Sequence, residues 1–188
     1  MANATQITTG RVRFSYVNVF QPRAIEGGDE KYGVTLIIPK SDTKTVSKIK
    51  AAIEAAKANY AAKTGKKLPA KVKTTLHDGD GTMPNSGEEY GPECKNAYVI
   101  SVSSKRKPVL IYSDKTPITE ESEVYSGCYG RAIINFFYYN TQGNSGISAG
   151  LMGLMKLSDG EPLGGGVVTD EDWDDDFEDS QASDDLLG

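Results

Sequence analysis

The stretch from Glu123 to Asn140, EVYSGCYGRAIINFFYYN, constrains the fold more than any other part of the chain. It reads as a β-strand introduced by Gly127 and Gly130 and crowded with aromatic residues. Side chains on a strand alternate between faces, so Ala132, Ile134, Phe136 and Tyr138 share one side. Tyr129, Arg131, Ile133, Asn135, Phe137 and Tyr139 share the other. The first set suits a core. The second puts rings beside a guanidinium and an amide, which suits a surface where bases stack and phosphates are held. Aromatics favour strands in any setting, and from this segment alone a strand buried on both faces is the slightly better reading.

The remaining pattern is that of a small β protein with one helix. Gly10–Phe20 alternates, with Val12, Phe14 and Tyr16 on a core face and Arg11, Arg13 and Ser15 outward. Lys31–Pro39 is a second strand, closed by its proline. Ser41 or Asp42 can cap a helix in which Val46, Ile49, Ile53, Ala56 and Tyr60 recur at helical spacing until Gly65 stops it. Lys44, Lys48, Lys50, Lys57 and Lys63 then form a solvated face. Residues 65–95 are irregular, and TGKK at Thr64 lacks the upstream glycine and strand of a phosphate-binding loop. Asn96–Ser104 is a third strand, running into the basic triplet Lys105, Arg106 and Lys107, a good grip for a phosphate backbone. Val109–Tyr112 and Ile147–Leu157 are further strands, and Gly150 and Gly153 in the last imply bending or close backbone approach.

Charge divides the chain. The formal net charge of −5 hides 21 Lys and Arg against 14 acids up to Leu157, and 12 acids against no Lys or Arg from Ser158 onward. A body of +7 thus carries a tail of −12, as expected of a polyanion binder with a segment able to compete for its groove. The expected domains are a flexible arm over 1–9, a folded domain over 10–157, and a Gly-rich linker with an acidic tail over 158–188. The tail cannot build a core, and disorder is expected there. Trp173, Phe177, Leu186 and Leu187 are its apolar points, a short linear motif for a basic-rimmed hydrophobic pocket on a partner. No membrane span is expected, and the N-terminus lacks a signal-peptide pattern. Cys94 and Cys128 match no metal or redox spacing and read as reduced core thiols in a cytoplasm. His77, Asp78 and Asp80 fit no metal-binding motif, so no metal or cofactor is expected.

Five to six strands, one inserted helix and glycine bends without βαβ alternation point to a mainly β fold, a five-stranded Greek-key barrel of OB type. Such barrels bind oligonucleotides on a strand face and between loops. In order and at matching spacing, several stretches resemble the phage-encoded single-stranded DNA-binding proteins of OB-fold type. They are GRVRFSYVNVFQP at 10, KYGVTLIIPKSD at 31, KIKAAIEAAK at 48, SSKRKP at 103, PITEESEVYSGCYGRAIINFFYYN at 117, NSGISAGL at 144 and DGEPLGG at 159. The resemblance implies an OB fold, binding of single-stranded DNA with little sequence preference, and a role in phage replication, recombination or repair in the host cytoplasm. It also implies a tail that recruits replication or recombination proteins, although this tail ends in Leu-Leu-Gly rather than an aromatic residue.

The resemblance supplies no residue-level contacts, and the site residues come from strand faces and charge. Arg11, Arg13, Lys105, Arg106, Lys107 and Arg131 would neutralise phosphates. Tyr129, Phe137 and Tyr139, with Tyr112 as a weaker candidate, would stack on bases. Duplex DNA stays open as a partner. The alternatives are a metal-dependent nuclease built on Asp78, Asp80, Glu88 and Glu89, and a structural or adaptor protein whose aromatics serve self-assembly.

Overall fold

The computed structural model describes residues 4–24, 28–69, 72–84, 86–141 and 144–163. Among them eight strands form one sheet: β1 (Gln6–Thr8), β2 (Val12–Arg23), β3 (Lys31–Pro39), β4 (Leu76–Asp78), β5 (Ala97–Ser104), β6 (Val109–Tyr112), β7 (Tyr129–Thr141) and β8 (Asn144–Ser158). Five of them close on themselves. The pairs β2–β3, β3–β5, β7–β8 and β2–β7 are antiparallel, and β5 meets β8 in parallel where Ser103 lies opposite Gly150. The ring β2–β3–β5–β8–β7 is an OB-type Greek-key barrel, as the strand pattern anticipates. β1, β4 and β6 extend it on β7, β5 and β8.

Alternation along the strands fills the barrel. Val12, Phe14, Leu36, Ile38, Ile100, Val102, Ala132, Ile134, Phe136, Leu151 and Leu154 all point inward and are buried. Gly130 is required where β7 crosses β2 and β8: a Cβ there would stand 2.1 Å from the Met155 carbonyl oxygen and 2.7 Å from the Phe14 ring. The helix α1 (Thr43–Thr64) packs on the same core through Ile49, Ala52, Ile53 and Ala56. Asp42 caps it by accepting from the Thr45 N–H, and Gly65 ends it in the left-handed conformation at φ 67°. Tyr60 meets Tyr138 with ring centroids 4.1 Å apart, which closes the core face of β7 at its far end.

The fold departs from the sequence expectation in four places. The N-terminal segment is not a free arm: Gln6–Thr8 pairs with Ile133–Asn135, and Ile7 and Thr9 are buried. The irregular region contains β4, which pairs with β5, and a 3-10 turn over Pro92–Cys94. Tyr16 does not join Val12 and Phe14 in the core. A bulge in β2, which sets Tyr16 and Val17 against Val34 alone, turns it outward with φ 47°. Finally, the chain after β8 does not leave the body at Ser158. Asp159–Leu163 lies against it, with the Leu163 N–H donating to the Ser126 carbonyl at 2.8 Å.

Candidate nucleic-acid interface

The outward face of β7 is open. Phe137 is 44% exposed and Ile133 37%, whereas Ala132, Ile134 and Phe136 beside them are sealed. The reason lies on β8. Opposite Ile133, Asn135, Phe137 and Tyr139 stand Gly153, Gly150, Ser148 and Gly146, so the β7 rings have low neighbours on that side. The low ground continues across the sheet through Ser103 opposite Gly150, Gly33 opposite Ser103, and Thr35 opposite Ser101. Tyr139 leans over β8, with its hydroxyl 3.1 Å from the position a Gly146 Cβ would take. Arg131 is fixed on the same side, its Nε donating to the Thr9 carbonyl at 2.8 Å.

Cations stand at two margins of this band. Lys105, Arg106 and Lys107 follow directly on β5 and are exposed. Lys105 pairs with Asp29 at 2.9 Å, and the Lys107 ammonium sits 5.6 Å from the Phe20 ring centroid. Exposed pairs of this kind contribute little and yield readily to a competing phosphate. The second margin is the mouth of a cavity of about 430 Å³ lined by Arg11, Arg13, Lys95, Asn96, Glu93 and Tyr129, among others. The Arg11 and Arg13 guanidiniums lie 4.8 and 5.3 Å from the Tyr129 ring centroid.

Asp159–Leu163 forms a strap that covers the other side of this cluster. Arg13 donates to the Gly127 carbonyl at 3.0 Å and to the Glu161 carbonyl at 2.6 Å, and Arg11 donates to the Ser158 hydroxyl. A Cβ on Gly160 would stand 2.7 Å from the Tyr129 ring, so Tyr129 is held between guanidiniums and backbone. Lys156 anchors the strap. Although 8% exposed, it pairs with Asp159 at 2.7 Å and Glu123 at 2.8 Å and sits 5.6 Å from the Tyr125 ring centroid. Burial opposes its charge, but the two carboxylates outweigh burial and hold its pKa above the ordinary lysine value. Lys156 in turn holds the Asp159 carboxyl below its usual value, with help from the Tyr125 hydroxyl. Leu163 then packs on Ile37, Cys94, Ala97 and Val99. Ile37 opposite Val99 is the next outward pair along from Thr35 opposite Ser101, so the strap delivers the chain to the edge of the low band.

The structure thus brings together Lys105–Lys107, Arg131, Phe137 and Tyr139 around the band, and Arg11, Arg13 and Tyr129 beside it. Tyr112 is elsewhere: it shares a side with Leu110 and packs on the core cluster. Trp173, Phe177, Leu186 and Leu187 lie outside the described residues. Asp78 and Asp80 both grip Lys40, at 2.7 and 2.8 Å, which holds their carboxyls below the usual range. Cys94 and Cys128 are buried free thiols, and burial raises both, Cys94 to about 11. Sequence reasoning missed the strap, Lys95 and the exposed ring of Tyr16. For the strap a signal was present, since Lys156 falls on the inward side of β8 two residues after Leu154 and must find carboxylates there.

A closed five-stranded Greek-key barrel with an aromatic and cationic outer face is the architecture of an oligonucleotide-binding OB protein. Over residues 5–187 the sequence matches the model of the family described as Enterobacter phage Enc34, ssDNA-binding protein, and the chain belongs to that family. Protein p50 of Acyrthosiphon pisum secondary endosymbiont phage 1 is 34% identical over 182 residues, 90% of this chain and 93% of p50. The single-stranded DNA-binding protein of bacteriophage Enc34, solved in complex with ssDNA, superposes with a TM-score of 0.73 at 27% identity, covering 86% of this chain and 91% of that one. The single-stranded DNA-binding protein gp2.5 of bacteriophage T7 shares the fold, with a TM-score of 0.57 at 17% identity over 93% of this chain and 96% of gp2.5.

Proposed function

We propose that this protein binds and protects single-stranded DNA with little sequence preference during phage DNA replication, recombination or repair, in the cytoplasm of the bacterial host. The observation that carries this reading is the exposed Phe137 ring bordering a band of glycine, serine and threonine, with Lys105–Lys107 at the band's end. Rings stack on any base, cations hold any phosphate, and low ground between them lets a backbone approach without reading sequence. The relative solved with ssDNA supports it.

The acidic tail has two roles in this reading. It competes with DNA for the cationic face, because the described chain ends at Leu163 beside the band and ten acids follow without a Lys or Arg. It also carries Trp173, Phe177, Leu186 and Leu187 to replication or recombination proteins. The nuclease alternative is disfavoured by Lys40, which already occupies Asp78 and Asp80 in ion pairs.

Fluorescence-anisotropy titrations with oligo-dT, a mixed-sequence single strand, a matched duplex and RNA, at two salt concentrations, test the proposal. Both DNA single strands should bind alike, with affinity falling steeply as salt rises. Replacing Lys105, Arg106 and Lys107 by alanine should flatten the log–log salt slope by about two, at about 0.7 per lost phosphate contact. No binding, or cleavage of the probe with magnesium or manganese, would overturn the reading.

A further inference from the structure

Tyr16 combines two features that rarely coincide. Its side chain is 72% exposed, and its backbone is left-handed at φ 47°, a region that residues with a Cβ seldom enter. The conformation is imposed from both flanks. The Phe14 N–H donates to the Cys128 carbonyl at 2.9 Å, Phe14 accepts from the Gly127 N–H at 2.7 Å, and the Val17 N–H donates to the Ser126 hydroxyl at 3.2 Å. Glycine would satisfy this bulge without strain, and a ring held in solvent gains the fold little. A bulky residue kept where the fold would prefer glycine marks a role outside folding.

Its position says which role. Ser15 and Asn18, on either side of the bulge, stand opposite Thr35 and Gly33, the β3 members of the low band. Tyr16 therefore stands on the β2 border of the band as Phe137 stands on its β7 border, four strand spacings or roughly 19 Å apart across the sheet. We infer that Tyr16 is a second stacking platform, and that the DNA strand runs across β3, β5 and β8 with one base on Phe137 and another on Tyr16. This rests on the single-stranded DNA reading above and adds to it a direction and a residue.

The test uses the full chain and oligo-dT. Tyr16→Gly removes the ring and the strain together, so its melting temperature should not fall, while affinity drops by the loss of one stacked base, roughly five- to 150-fold. Tyr16→Phe should bind like the parent protein. Tyr16→Trp combined with Trp173→Phe should show fluorescence that quenches on adding oligonucleotide, reporting contact at this position directly. If the parent protein binds oligo-dT and Tyr16→Gly binds equally well, or the Trp signal does not change at saturation, the inference is overturned while the general reading stands. If the parent protein does not bind, both fall.

Discussion

Three rings of similar size meet different fates in this barrel, and their neighbours make the difference. Phe137 faces Ser148 across the β7–β8 pair and has Gly150 beside it, and it stays 44% exposed among the described residues. Tyr129 is enclosed by Arg11, Arg13 and Gly160, and Tyr112 packs on the core beside Leu110. Phe137→Ala should therefore weaken oligo-dT binding by about 1–3 kcal/mol with little change in melting temperature. Tyr112→Ala should do the reverse, lowering the melting temperature while the folded protein keeps its affinity. Anisotropy titrations paired with thermal melts check both, and an exchange of the two patterns would move the interface off the outer face of β7. The inward and outward sides of β7 were legible because a period of two needs only the strand itself. What each ring faces was not legible. It depends on the register with β8, which shifts between Tyr129 and Gly130 and again between Ile133 and Ile134. Tyr16 fell on the wrong face for the same reason, since a bulge adds a residue without changing local composition.

At the scale of elements, the strap shows how a segment of linker composition becomes structured. Gly160, Pro162 and two acids read as loop, and partners supplied by Lys156, Tyr125, Ser126 and Arg13 fix it. Tyr125 and Ser126 are distant in sequence and composition could not announce them, whereas Lys156 lies three residues before Asp159. The Lys156–Asp159 pair makes the strap dependent on pH. The Asp159 carboxyl is held below its ordinary value of 3.8, so its contribution is complete above that pH and is lost as pH falls through the depressed range. Lys156 is held above its ordinary 10.5, so its contribution persists below that pH and is lost only as pH rises beyond it. The strap should be closed across neutral pH and should loosen in acid. Asp159→Asn should reproduce the acid state at pH 7, read as faster hydrogen exchange at the Leu163 amide with core amides unchanged. Equal protection in the variant would mean that the hydrogen bonds to Glu161, Gly160 and Ser126 and the packing of Leu163 hold the strap without the ion pair.

For the whole molecule, the division of charge was the most legible property and the least local. Residues 164–188 contain ten acids and no Lys or Arg, so removing them takes the formal charge from −5 to +5 without touching the barrel. The strap begins this tail at Leu163, one outward pair from Thr35 and Ser101. A segment tethered at Leu163 would compete for the cationic margins at an effective concentration set by the tether. A chain ending at Leu163 should bind oligo-dT more tightly than the full chain at low salt. The advantage should shrink as salt rises, because screening shortens from about 10 Å at 0.1 M to about 3 Å at 1 M and the tail's charges cease to be felt across the band. A purely recruiting or solubilising tail predicts equal affinities at every salt concentration. Titrations of the two chains side by side, from low to high salt, separate these outcomes, and a truncated chain that binds no tighter at low salt removes competition from the tail's functions.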